Sequence, residues 1–199
     1  TLVSGTMSTG LTAADITGQT ALGAKPADTD ELVISDAGTL KRVDYSWLNA
    51  NRPAFSCNGG FNASQAVCEA VNTKAILSSE YFDTDGCFDP TTNYRFTVPA
   101  GEGGNYMFAW SIYLYQSTIS NVITFESMLY KNGARYVGAQ TTHGNHYSRT
   151  AITSGACAIP LAAADYIELY GNINVVTDNG TQFYGGDRGT YLTGFKLSS

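Results

Sequence analysis

Three stretches of strict two-residue alternation govern what this chain can fold into. From Asn105 to Tyr115, Tyr106, Phe108, Trp110, Ile112 and Leu114 fall on one side of an extended backbone. Met107, Ala109, Ser111, Tyr113 and Tyr115 fall on the other. Asn121 to Tyr130 repeats the pattern, with Ile123, Phe125 and Leu129 opposite Val122, Thr124, Met128 and Tyr130. Tyr166 to Ile173 sets Ile167, Leu169 and Ile173 against Tyr166, Glu168 and Tyr170. A period of two is that of a β-strand, whose successive side chains leave opposite faces. Turn residues at Lys131-Asn132-Gly133, Thr153-Ser154-Gly155, Asp178-Asn179-Gly180 and Gly185-Gly186-Asp187 punctuate the runs. Only Gln65 to Val71 has a pattern that a helical turn would accept. Many short strands at regular spacing predict an all-β sandwich, jelly roll or barrel.

The second face of those runs carries its own message. A solitary sandwich keeps the outer face of each strand polar. Here Tyr113, Tyr115, Tyr130, Tyr166 and Tyr170 stand opposite the Ile/Leu/Phe stripe. Interfaces favour tyrosine, so these five residues are expected to form an interface between copies of the chain.

Composition narrows the partners. Only 14% of the 199 residues are charged, with a net charge of -6, against about 25% charged in an ordinary globular chain. Phosphate neutralisation needs clustered Lys and Arg, and here Lys41-Arg42 is the only adjacent basic pair, so nucleic acid is not an expected partner. The longest near-apolar run, Ala156 to Ala164, contains Pro160 and falls far short of the roughly 20 residues of a spanning helix. Membrane insertion is not expected, and neither is a basic-then-apolar leader at Thr1. The cysteines, Cys57, Cys68, Cys87 and Cys157, are too few for a disulfide scaffold and lack metal-ligand spacing. They read as reduced, hydrophobe-like residues, with a Cys57–Cys68 clip left open for an oxidising medium.

The chain changes character near residue 53. Ahead of it, Thr20 to Thr29 reads as an extended linker rich in Ala, Gly and Pro. Two β-type runs, Glu31 to Asp36 and Lys41 to Trp47, then flank Ala37-Gly38-Thr39 as a hairpin. Residues 1–52 are therefore expected to form a stalk or attachment segment with a hairpin at 31–47, and 53–199 a head domain. A lone hairpin is marginal in water, so Leu32, Ile34, Val43, Tyr45 and Trp47 need cover. The stretch Pro26 to Leu48, PADTDELVISDAGTLKRVDYSWL, resembles a short module of tail-fibre and structural proteins of tailed phages. That resemblance implies attachment to other virion proteins through this segment.

A second resemblance covers about 75–199. Phe88 to Pro99 (FDPTTNYRFTVP), followed by Gly104-Asn-Tyr106-Met-Phe108-Ala-Trp110, is similar to the signature of the globular head of complement component one-q. Leu129-Tyr-Lys-Asn-Gly133, Leu161 to Leu169 and Thr190-Tyr-Leu-Thr-Gly194-Phe-Lys-Leu197 continue the match. That family shares its trimeric jelly roll with the tumour necrosis factors. The resemblance implies a ten-stranded jelly-roll sandwich, a homotrimer, and recognition of proteins or glycans through loops at the exposed end. Joined to the phage-like segment, it implies a virion protein: a fibre knob or capsid decoration that binds a host surface or stabilises the particle. A secreted complement-type protein or lectin is the extracellular alternative, and a short tailspike hydrolase a weaker one.

Candidate chemistry is thin. No Gly-x-Ser-x-Gly elbow and no phosphate-cradling loop is present, and acidic pairs such as Glu126 with Glu168 are carboxylates that outward strands would bring near each other. No catalytic residue is assigned and no enzyme is expected. Binding is assigned to loop tips, Asn145, His146, Tyr147, Asp178, Asn179, Tyr184, Asp187 and Arg188. Two weak metal sets remain: His143 with His146, which three copies would present to one axial ion, and Asp83 with Asp85, oxygen ligands of the kind calcium takes. No cofactor is expected beyond such an ion.

Overall fold

The computed structural model describes residues 20, 23, 26–27, 29–45, 52–60, 64–177, 180–185 and 189–198, with backbone alone at 117–121 and 145–148. Two units separate, Thr1–Ala50 and Asn51–Ser199.

In the first unit, β1 (Glu31–Asp36) and β2 (Thr39–Asp44) form an antiparallel hairpin. Ala37 and Gly38 connect them with φ of 49° and 85°, the primed turn whose twist suits a two-residue connection. Thr39 is thus the first residue of a strand, and the ladder closes at Asp44; Trp47 lies outside the described residues. Arg42 pairs with Glu31 at 2.8 Å, and Lys41 with Asp36. Leu32, Val33, Ile34 and Leu40 stay exposed.

The second unit contains β3 (Ala54–Asn58), β4 (Ser64–Ala66), β5 (Thr73–Lys74), β6 (Ser79–Asp83), β7 (Phe88–Asp89) and β8 (Arg95–Thr97). It continues with β9 (Gly104–Lys131), β10 (Ala134–Leu161), β11 (Tyr166–Val175), β12 (Thr181–Tyr184) and β13 (Tyr191–Ser198). The segment from Gln65 that would accept a helical turn instead starts as β4, which pairs with β12.

Two strands of 28 residues each, β9 and β10, organise everything else. The first part of β9, up to Ser111, pairs with β13, and Tyr113 to Gln116 pairs with β12. From Val122 onward the same strand pairs with β11. Trp110 Nε1 nevertheless donates to Ser127 Oγ at 2.9 Å, although 17 residues of straight strand would span roughly 56 Å. The strand therefore bends back over itself, and its two halves belong to facing sheets. One sheet runs β6-β3-β13-β9-β10 and the other β7-β8-β11-β9-β10. The ladder slips at Thr142/His146 and Ser148/Thr150, on either side of the segment where β10 passes between sheets.

Between the sheets lies one core. Phe55 stacks at 5.1 Å on both Phe88 and Phe96, and Phe96 meets Phe108 edge-on at 5.5 Å. Trp110 lies over Gly155, where a Cβ would come within 2.4 Å of the indole. Gly155 is thus not the turn residue its neighbours Thr153 and Ser154 suggested; it sits within β10, bare because a ring covers it. Gly171 lies under Phe183 and Gly194 under Phe108 in the same way. A second adjustment concerns β9: its ladder slips at Ile123, so Val122 joins Phe125 in the core and Ile123 is only half buried.

Strand direction defines two ends. Pro53 O accepts from Lys196 N, and Gly104 opposes Leu161, at the end where the chain enters. Residues 117–121, 176–177, 180, 185 and 189–190 gather at the other, distal end, beside the pairs Asn58↔Tyr191 and Val175↔Val122. The entry-end turn between β10 and β11 is closed by Asp165, which accepts from Asn132 Nδ2 at 2.7 Å, Ala162 N at 2.9 Å and Lys131 Nζ at 3.0 Å. The Asn132 donation, followed by the others, draws its carboxyl from the ordinary 3.8 down to about 2.

Two outcomes follow from this packing. Ser127→Ala, which orphans the buried indole N–H, is expected to cost about 1–3 kcal/mol, and Gly155→Val a similar amount through overpacking, both read by urea unfolding. A carboxylate depressed in the folded state stabilises above its unfolded pKa and stops doing so as pH falls through the folded value. Acid unfolding should therefore steepen from about pH 4 towards pH 2, and Asp165→Asn should lower the melting temperature at pH 7 while flattening that acid limb.

Candidate functional site

The outward face of the first sheet is built from alternate residues of β9, β10, β12 and β13. Cross-strand rows read Ala158, Met107, Phe195; then Ala156, Ala109, Thr193; then Ser154, Ser111, Tyr191; then Ile152, Tyr113, Tyr184. No row contains an ionisable Asp, Glu, Lys or Arg. Small residues form the middle, and large ones flank them: Phe195 and Ile152 are 47% and 53% exposed. Among the described residues the β10 side of this face, Ala151 to Leu161, has strand pairing with β9 alone. A face without charge in its central rows and with large apolar side chains exposed is one that proteins normally cover.

At the distal end of this face three tyrosines gather. Tyr113 and Tyr184 meet edge-on at 6.1 Å, and Tyr115 lies 6.2 Å from Tyr184. Arg149 rests 5.3 Å from the Tyr115 ring and donates to its hydroxyl at 2.5 Å. Thr190 fixes the arrangement, donating to Tyr184 O at 2.6 Å and accepting from Tyr113 N at 3.0 Å.

The outward face of the second sheet is its opposite in character. Tyr130 stacks on Tyr170 at 4.0 Å, Asn72 donates to the Tyr130 hydroxyl at 2.8 Å, and Asn172 donates to Asn72 at 2.6 Å. Arg95 lies 4.1 Å over the Tyr166 ring, Lys74 pairs with Glu168 at 3.0 Å, and Arg135 pairs with Glu126. Burial first, and then the Glu168 charge, raise the Tyr170 hydroxyl above its ordinary pKa. Polar groups here are spent on one another. The five tyrosines expected to act together thus divide, Tyr113 and Tyr115 on the first sheet, Tyr130, Tyr166 and Tyr170 on the second. Alternation separates inside from outside, but a sandwich has two outsides.

The proposed acidic pair also comes apart. Glu168 opposes Tyr130, and Glu126 lies four residues along the same strand, about 13 Å away at a strand's rise. Glycoside hydrolysis uses carboxyls roughly 5–9.5 Å apart, and each of these is already held by a cation.

The loop-tip residues separate by what can be described. Tyr184 is half buried in the tyrosine cluster. Asp178, Asn179, Asp187 and Arg188 lie outside the described residues. The backbone at Asn145, His146 and Tyr147 belongs to β10 and not to a free loop, where the ladder slip and the φ of 62° at Gly144 mark a bulge; their side chains lie outside the described set. Asn145, His146, Tyr147 and Tyr184 belong to the distal end by topology. The Gln116 amide, which sequence reading passed over, is fully buried there with neither its nitrogen nor its oxygen partnered. Its polar side chain on the inward parity of β9 was the available signal.

The metal sets find little support in their surroundings. Asp83 lies at the entry end, where its carboxylate accepts from the amides of Asp85, Cys87 and Phe88 and from the Cys87 thiol at 3.1 Å. Desolvation pushes its pKa upward, but these donations outweigh it and the net shift is downward. Asp85 accepts from the Thr84 hydroxyl at 2.8 Å. Asp89 caps the next turn, and amide donations from Thr92 and Thr91 lead in lowering its pKa. His143 has a buried, unpartnered Nε2, and the His146 ring is outside the described side chains. Among the described residues no three His, Cys, Asp or Glu cluster to hold a metal. All four cysteines are free thiols, Cys57 and Cys87 buried, Cys157 half buried and Cys68 exposed. Burial, before the Glu80 and Asp83 charges, pushes the Cys57 thiol far up, and burial does the same to Cys87.

Among the described residues no helix is long and apolar enough to cross a membrane. No family model matches the chain, and no curated protein matches it. Among solved structures, murine APRIL at pH 8.5 aligns at TM-score 0.48 and 12% identity, over 73% of this chain and 99% of that one. The globular domain of zebrafish complement 1qA protein aligns at TM-score 0.52 and 15% identity, over 73% of this chain and 97% of that one. The head is therefore an all-β jelly-roll sandwich similar in fold to that complement globular domain.

Proposed function

We propose that this chain is a non-catalytic binding protein that works as a homotrimer, the head of a bacteriophage fibre or a capsid decoration. The observation that carries the reading is the outward face of the first sheet, whose four central cross-strand rows hold no Asp, Glu, Lys or Arg. Closed rotational symmetry covers such a surface without leaving a further one exposed, and the complement-type fold favours a threefold arrangement. Tyr113 and Tyr115 are assigned to that interface; Tyr130, Tyr166 and Tyr170, already engaged with their own neighbours, fit a surface facing solvent.

Trimerisation through the first sheet leaves the distal end to meet a target. Asn145, His146, Tyr147, Asp178, Asn179, Tyr184, Asp187 and Arg188 are the residues assigned to contact a host-surface glycan or protein. The N-terminal unit supports the virion placement, because its residues resemble a phage structural module and its exposed apolar side chains suit docking to other virion proteins. Likeness to the zebrafish complement domain favours a second reading, an extracellular complement-type recognition protein. Labelled antibody bound to intact phage particles separates the two.

Ala156→Glu places a charge on an exposed position of the proposed interface without disturbing the core. It should weaken the trimer by about 100-fold or more, the equivalent of roughly 3 kcal/mol, seen as a single-chain mass in sedimentation; an unchanged trimer overturns the assignment. Replacing Asp187 and Arg188 together by Ser should cut adsorption to host cells at least tenfold while the sedimenting mass stays unaltered.

A further inference from the structure

A cavity of about 90 Å³ opens at the distal end, lined among others by Gly59, Ile76, Ser78, Phe183, Gly185 and Thr190. One water occupies roughly 10–15 Å³ on this measure, so the space is that of a small ring molecule rather than of a single solvent site. Its walls are fixed before any ligand arrives. Gln65, one of the lining residues, donates to Lys74 O at 2.6 Å and accepts from Ile76 N at 2.8 Å, clamping the segment after β5 that carries Ile76. Gly59 N donates to Thr190 O at 3.2 Å. A Cβ on Gly59 would meet Gly185 Cα at 2.9 Å, so two bare backbones touch and form one side. Preorganised walls spare a ligand the cost of ordering them.

The lining also dictates the chemistry of an occupant. None of the lining residues is ionisable, so an ion entering would lose water without gaining a counter-charge. Ile76 and Phe183 supply an apolar side, and Ile76 is 41% exposed. Ser64 and Ser78, both exposed, belong to the lining, and their hydroxyls accept and donate alike. One apolar wall facing hydroxyls, in a pocket of this size, matches a neutral pyranose: its C–H face against Ile76, its hydroxyls towards the serines and glycine backbone. Resting on the reading of the distal end as the recognition surface, we infer that this cavity holds a neutral monosaccharide unit of the target glycan.

Saturation-transfer NMR on the full chain with methyl α-D-glucopyranoside, methyl α-D-galactopyranoside and methyl α-L-rhamnopyranoside tests it. At least one should receive saturation from the wild-type protein, and Ser78→Leu, which fills the exposed mouth, should reduce that signal at least tenfold at an unchanged melting temperature. Ser64→Leu serves as the second filling variant should Ser78→Leu fail to fold. No transfer to any of the three sugars, or equal transfer to a folded filled variant, overturns the assignment, as does transfer only to a hydrophobic peptide added in parallel. The Asp187/Arg188 double variant should keep the sugar signal while losing adsorption. Lost adsorption in that variant with no sugar signal in the wild type therefore overturns the cavity alone and leaves the attachment reading standing.

Discussion

Contact between aromatic rings and bare strand glycines is the constraint on which the rest of this head depends. Trp110, Phe108 and Phe183 each lie against a glycine, Gly155, Gly194 and Gly171, with less room than a Cβ requires. Such contact lets large rings fill the space between sheets at ordinary sheet separation. Trp110 adds direction, because its indole N–H must find Ser127 on the facing sheet, and Thr153 extends the link by donating to Ala139 O at 3.0 Å. A buried polar bridge tolerates one relative placement of its partners where apolar packing tolerates several. The bend in β9 is therefore set by a tryptophan and a serine of the same strand.

Once the sheets are fixed, their outer faces acquire different chemistry from nearly the same residue types. Tyrosine appears on both. On the second sheet it is surrounded by Asn, Lys, Glu and Arg, and the groups neutralise one another within the chain. On the first sheet it borders alanines and serines, with no charge in the four cross-strand rows. Sparse charge in the whole sequence is thus not evenly spread; it is withheld from one side. Solvation favours the charged face remaining wet and the other being covered.

Much of this architecture was legible in the residues, and the misses have physical causes. Period-two alternation located β9, the first half of β10's partner segments and β11, and Lys131-Asn132-Gly133 marked the tight connection between the two long strands. Thr153-Ser154-Gly155 misled because glycine breaks a strand in most settings, whereas here it admits a ring that lies over 40 residues away along the chain. Ile123 was placed with the core because a bulge cannot be read from alternation alone. Asp83 and Asp85 resembled ion ligands because a carboxylate that binds backbone amides and one that binds calcium use the same residue in the same kind of turn. Assigning all five tyrosines to one surface failed for a topological reason: which sheet a strand joins depends on where β9 bends, and Ser127 carries no local sign of it. The distal cavity left no motif, since its walls are backbone and small side chains.

Entry of the chain at Ala54 and its last strand at β13 lie side by side, antiparallel, at one end of the sandwich. Traction applied ahead of Ala54, against a load held at the far end, would run along β3 rather than across it. The hydrogen bonds that β3 shares with β6 and β13 would then be loaded together in shear, not peeled one after another. The two ladders of β3 thus resist extension along the strand better than opening across it.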